Sequence, residues 1–565
     1  MHKAVMLLLV VIMAASANAQ PPIGPAQQVS PKKLPNPSDA VRLAALDLQT
    51  MSEDAQPFQR YFWTDDTSKA FHGAFNYVLN TTVSHASVLY LPTITANGHL
   101  IRVDTRRIWP RTKHIEQFFP VFEELALIDP YFHMQGTIEQ EVTKQVKVTV
   151  PRYKANDGKF YDYKFENQVT KVVTTASEHA IHLGGLDGDM SAIQYLSEAT
   201  LSQAPILNAK WFIRITTTSN SKENGRYIQF RGFKKSQKDA AGNITKSAEQ
   251  LWLEGMGIDY SQVKNDLQSD QRIGKWRSLI TGKPRAIEYL YALNVRAAVG
   301  PMVVTMTRDY FTGTISAKNH PIKNLLNYKF DGTEAIGPLP NGMLSFLLFD
   351  GDGNLVDVAP QTLVSDRTVP APHPADLQGP ISCIRCHGPT EMWMDTKNDV
   401  MAFTKGNLGV NIYDDESDEN LTPEEALDRI SGLYTGELAE PLRISRNTHA
   451  KATFLVTGGM DIPDVTKKIA EIYQEFRYDP VTPEVACREL GYVVSAEKAA
   501  VVFNSIVPKL PPNRHGIRTE NVMVATLRAW SSNAPLYVNR DDWEQEYSDT
   551  MLRVLTEEIR KAKTK

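Results

Sequence analysis

The sequence predicts an α+β protein: a large mixed, mostly antiparallel N-terminal domain, then a helical C-terminal domain. Three observations carry this. Between about residues 87 and 366, apolar residues recur in alternating runs separated by short turn signals, the mark of paired strands. Prolines at 370, 372, 374 and 380 then interrupt the chain. Beyond residue 421 the apolar residues recur at the helical period. A chain of 565 residues is also too long for one ordinary core, so two or three domains are expected.

Taken in order, residues 1–19 read as a cleavable signal peptide. His2 and Lys3 precede the apolar run "AVMLLLVVIMAA", and "SANA" ends in an A-x-A cleavage site at Ala19, so the mature chain is expected to start at Gln20. The run is shorter than the roughly 20 residues of a spanning helix. No cysteine follows it for lipid attachment, and no later stretch is apolar enough to span a membrane. Residues 20–44 form a leader with prolines at 21, 22, 25, 31, 35 and 37.

Residues 45–367 form the α+β domain, in which 41–80 carries an amphipathic helical pattern that begins in the leader. "SVLYLPTI" and "HLIRVDTRRIW" alternate as strands around an Asn97-Gly98 turn, and "QVKVTVPRY" with "FYDYKFENQVTKVVTT" predicts a hairpin around Asn156-Asp157-Gly158. Strands are also expected at "AKWFIRITTT", "GRYIQFRGF" and "VGPMVVTMTRDYF", with a further hairpin over 342–366. Helices are expected near 114–128 and 189–204. Residues 368–420 are a connector that contains the motif discussed next, and 421–565 is the helical domain. It opens with a capping box at Thr422-Pro423-Glu424-Glu425. Ile462, Val465, Ile469, Ile472, Tyr473 and Phe476 share a helical face, and 484–490, 496–506, 519–530 and 541–562 read similarly.

Only three cysteines occur in the chain, yet two of them stand in "CIRCH", Cys383 to His387. C-x-x-C-H is the form of a covalent c-type haem attachment site. At this composition it arises by chance in roughly 1 of 2,000–3,000 such chains. Two thioethers from Cys383 and Cys386 would hold the porphyrin edge, and His387 would be the proximal ligand of iron. A redox-active disulfide uses the same C-x-x-C, usually in a compact thioredoxin-like unit. A structural zinc site needs four ligands, and Cys487 is the one other thiol.

For the distal side, Met460 in "TGGMDIP" is the candidate: it lies on a turn just ahead of a helix and 73 residues after His387. His373 in the connector is a second candidate, whereas Met392 and Met394 are too close to His387 to reach the opposite face. Trp393 could pack on the macrocycle or in the core. His179 and His182 share a helical face but lack a third ligand. Asp350, Asp352 and Asn354 mimic the start of a calcium loop, but Leu355 and Gln361 stand where glycine and glutamate are needed, so a hairpin turn is expected. Cys487 reads as a small buried residue. The net charge of -4 and the lack of a basic stripe exclude nucleic acid as an expected partner.

Several stretches resemble a family of exported single-haem c-type cytochrome proteins common in planctomycetes. They are "QRYFW", "LIRVDTRRIWP", "APILNAKWFI", the segment from "YKFDGTEAIGPLPNG" to "VAPQTLVSD", "GPISCIRCHG" and "CRELGY". The resemblance spans nearly the whole mature chain and is most specific over 328–388. It implies a long α+β region leading into the haem site, with Cys383, Cys386 and His387 matching the family motif and a small residue expected at position 487.

The expected function is therefore that of a periplasmic or otherwise exported cytochrome. It would bind one covalent haem c, transfer electrons with a redox partner protein, and have no membrane span in its mature chain. Two other classes use the same residues. One is a haem-containing oxidoreductase, peroxidase-like or with a substrate pocket in the N-terminal domain, since a carrier rarely needs so many residues per haem. The other is a haem-based sensor or binding protein.

Overall fold

The computed structural model describes residues 32–33, 37–110, 120–132, 138–154, 160–174, 192–266, 269, 271–278, 285–297, 300–310, 329–359, 375–387, 438–490, 492–509, 522–547 and 550. The expected signal peptide, the turn at 156–158, His179, His182, His373, Met392, Trp393, Met394 and the capping box at 422–425 all lie outside the described residues.

The chain is an α+β structure whose centre is a five-stranded antiparallel sheet. Its strands, Arg272–Ser278, Arg285–Ala297, Gly300–Asp309, Gly332–Pro338 and Leu344–Asp350, pair in sequence order. Both faces of this sheet are buried. Tyr289, Val303, Ile336 and Phe346 point into the main core, while their chain neighbours Leu290, Val304, Ala335 and Leu347 point into a second core with Trp252. This is the two-residue period of a strand, and it explains why "LSFLLFD" reads as continuously apolar. A Cβ on Gly337 would stand 2.6 Å from Trp252 Cζ2, so only glycine admits that indole.

A four-stranded sheet runs in the order Thr93–Thr95, Leu100–Asp104, Gln59–Trp63, Ile206–Asn208, the last pair parallel and the others antiparallel. The turn expected at Asn97-Gly98 is present, with both residues at positive φ. The predicted hairpin is a long ribbon, Ile138–Lys154 paired with Phe160–Thr174.

Two expected strands are helices. "AKWFIRITTT" forms Ala209–Thr216, capped by Asn208, whose Oδ1 accepts from Lys210 N (3.0 Å) and Trp211 N (3.1 Å). "GRYIQFRGF" contains the short helix Tyr227–Phe230. The expected hairpin at 342–366 is reassigned in part. Leu344–Asp350 takes its main partner from Gly332–Pro338, and the turn at 350–354 returns only as far as the hydrogen bond from Val356 N to Leu348 O, 3.0 Å.

The C-terminal helices follow the predicted pattern. In Ile462–Arg477 the buried residues are Val465, Thr466, Ile469, Ile472, Tyr473 and Phe476. This helix packs on Lys69–Val78 and Ala209–Thr216. The main core is continuous from Ala40 to Tyr547, so helices past 438 close over strands from the first hundred residues. Among the described residues, no helix is long and apolar enough to cross a membrane.

Candidate functional site

The motif forms one short helix, Ile381–His387. Its entry is fixed from three directions. Ser219 donates twice to Gly379 O, from N at 2.8 Å and Oγ at 2.9 Å. Gln378 N donates to Ser382 Oγ at 3.1 Å, and Ile384 N to Pro380 O at 2.8 Å. Gln378 Nε2 donates to Glu223 Oε1 at 3.1 Å, while the Tyr473 hydroxyl lies 2.6 Å from Gln378 Oε1 and 2.9 Å from Glu223 Oε2. Arg477 pairs with the same carboxylate at 3.1 Å. Farther along the helix, the Arg385 guanidinium lies over the Tyr473 ring, 5.8 Å from its centroid.

Spacings of three and four residues put Cys383, Cys386 and His387 on one helical face. Their surroundings differ. Cys383 is buried, Cys386 is exposed, and the His387 side chain is 33% exposed. Ile381, Ile384 and Cys383 itself are all in the main core.

Sequence reasoning missed the residue that faces this helix. Glu334 stands in a cross-strand row with Thr307 and Leu348, on the main-core face of the five-stranded sheet. Its Oε1 is 3.5 Å from His387 Nε2, and the carboxylate also hydrogen-bonds the Cys383 thiol. Burial, the Glu334 charge and the nearby Cys386 push the Cys383 thiol well above its usual range. Such a thiol stays protonated and is a poor nucleophile. Beside Glu334 is a cavity of about 130 Å³, walled by Leu348, Phe349, Val358 and Leu377 among others. The one signal for Glu334 in the sequence was its position inside the segment 328–366.

Met460 is elsewhere. Its Sδ packs against Gly73, 3.3 Å from where a Cβ would stand, and it lines a groove with His449 and Phe454. His449 Nδ1 lies 3.3 Å from Gly342 O, at the tip of the hairpin that carries Glu334. Pro338, at the end of that strand, is four residue steps from Glu334, about 13 Å. Met460 also precedes Ile462–Arg477 at its start, whereas Arg385 touches Tyr473 about 16 Å farther along the axis. The described contacts of Met460 are thus with Gly73 and the groove beside His449, and none of them is with His387.

Cys487 is fully buried in the helix Pro483–Glu489, and burial pushes its thiol up to about 12. A second, larger cavity of about 460 Å³ lies beyond the Gln378 tether, lined by Arg214, Lys222, Glu223, Arg477, Asp541 and Glu544. No family model matches the chain, and no curated protein or solved structure matches it either.

Proposed function

We propose that this chain is an exported c-type cytochrome that carries one covalent haem on Cys383, Cys386 and His387 and exchanges electrons with a redox partner protein. The observation that carries the reading is the C-x-x-C-H itself, folded as one helical turn with both thiols and the imidazole on a single face. The donor set fits the group. Cys386 is exposed and His387 partly so, whereas Cys383 lies in the main core beside Glu334 and would have to leave that core to join them. When bound, the haem supplies one-electron redox chemistry. The chain's own part is to hold the helix: Ile381 and Ile384 bury its back, and Gln378 and Ser219 fix its start.

Thiol–disulfide exchange, which shares the C-x-x-C, is less well supported. An exchanger needs an accessible attacking cysteine of lowered pKa, whereas the first cysteine here is buried and its pKa is raised.

A second haem reading, an oxidoreductase, draws on the 460 Å³ cavity. That volume lies within the usual range for small-molecule sites, and Glu223 both lines it and bonds Gln378 ahead of the motif. Replacing Cys383 and Cys386 together by alanine tests the common ground of both haem readings. Covalent haem should vanish while the far-ultraviolet spectrum stays folded. Retention of covalent haem in that variant would overturn them.

A further inference from the structure

We propose that the cavity of about 460 Å³ beyond the Gln378 tether binds a small organic anion, a carboxylate carried on an apolar body. The proposal is independent of the haem reading, because Cys383, Cys386 and His387 are not among the walls of this cavity.

Three cations from separate parts of the chain line it: Arg214 on the helix Ala209–Thr216, Lys222 on the turn Ser221–Glu223, and Arg477 at the end of Ile462–Arg477. Arg214 carries the argument. Its side chain is only 4% exposed. A guanidinium has five N–H donors, yet the one side-chain hydrogen bond Arg214 makes among the described residues runs from Nη2 to Glu544 Oε2, at 3.3 Å. Buried polar groups ordinarily find partners, and one that does not points to something that binds there. Arg477 spends Nε on Glu223 and Nη1 on Asp541, which leaves Nη2. Lys222 is exposed, and its Nζ has no ion-pair partner among the described residues.

The carboxylates around the cavity are already engaged. Glu223 accepts from Asn220 Nδ2 and Gln378 Nε2, each at 3.1 Å, and pairs with Arg477. Asp129 accepts from Tyr131 N and Phe132 N. Asp541 is 70% exposed and pairs with Arg477. Glu544 takes the Tyr131 hydroxyl as well as Arg214, and burial raises its pKa against the pull of Arg214 and Arg540. The cavity therefore has donors to spare. A carboxylate matches a guanidinium fork in shape and charge.

The apolar body follows from the opposite wall, where Leu127, Pro130 and Trp211 stand. Leu127 is 65% exposed, an apolar side chain left open at the rim. A bare oxyanion would leave that wall wet, whereas a ring or short alkyl chain would cover it.

The test is isothermal titration calorimetry of purified full-length protein with benzoate as the probe. Benzoate should bind with a Kd of about 1 mM or tighter. Benzamide, which lacks the charge, and acetate, which lacks the ring, should each bind at least about tenfold more weakly. Arg214→Gln should weaken benzoate about tenfold. Lys222→Glu and Leu127→Glu, both at exposed positions, place a negative charge at the rim and should weaken it about threefold or more with the circular dichroism spectrum unchanged; they serve if Arg214→Gln does not fold. No binding at about 10 mM benzoate, benzamide or acetate as tight as benzoate, or wild-type affinity in both rim variants would overturn the proposal.

Discussion

The Tyr473 hydroxyl lies 2.6 Å from Gln378 Oε1, so a helix of the C-terminal region bonds directly to a residue three positions ahead of the helix Ile381–His387. The same hydroxyl reaches Glu223 Oε2 at 2.9 Å. It has one proton, so it serves one acceptor at a time, and the Gln378 amide supplies the other bond to Glu223. Three stretches far apart in sequence meet there: 218–223, 377–387 and 462–477.

Tyr473→Phe keeps the ring under Arg385 but removes the hydroxyl. Two buried acceptors then share the remaining donors, which should cost about 1–2 kcal/mol of stability. Urea unfolding should show a lowered midpoint with an unchanged slope, and haem content should stay at the wild-type level. A variant as stable as wild type would mean that this contact does not anchor the segment.

Met460→Ala should leave the visible spectrum of both oxidation states unchanged, because Met460 packs on Gly73 and not on the motif. Its effect should be on stability alone, about 1 kcal/mol, because the lost side chain is only partly buried. Loss of a band near 695 nm would restore Met460 as iron ligand.

Cys487→Ser should retain full haem content. The residue is fully buried among apolar neighbours, and a hydroxyl without a partner there costs about 1–3 kcal/mol. A drop in haem stoichiometry would give this cysteine a role in attachment that its position does not suggest.

Stability should fall in acid through Asp66. Burial alone would raise its pKa, but hydrogen bonds from Lys468, 2.7 Å away, and from Ser68 hold its carboxyl down to about 2. A depressed carboxyl contributes stability above its unfolded value near 4 and loses it as pH falls toward 2. After allowance for solvent screening the contribution is about 1 kcal/mol. Lys468→Met should therefore be less stable than wild type at pH 6 by about that amount, and the two should converge by about pH 2. A constant difference between pH 6 and pH 2 would exclude this origin.

Much of the fold was legible where a pattern is local. The buried face of Ile462–Arg477 is the set of residues its helical period marks, with Thr466 added and Ile462, at the helix start, only partly buried. Asn97-Gly98 turns where its dipeptide says. The failures have physical causes. In Ala209–Thr216 every residue is buried, so no polar face revealed the helical period, although Asn208 stood ready as its cap. Gly332–Pro338 holds two glycines and a proline, a poor strand by propensity, and is kept extended by its neighbours in the sheet.

The site divides the same way. Cys383, Cys386 and His387 are found by spacing along one turn. Glu334 is 53 residues from His387 in the chain, and only the sheet's register brings it there. For Met460 the sequence offers a turn as its signal, and a turn by itself says nothing about distance.

The central claim is covalent haem on Cys383 and Cys386, and the most direct measurement is a pyridine haemochrome assay of purified protein before and after acidified-acetone extraction. The account predicts one haem per chain, of the type joined by two thioethers, which remains with the polypeptide after extraction. Haem that leaves into the solvent, or a chain that binds none when exported alongside the c-type maturation machinery, would contradict it.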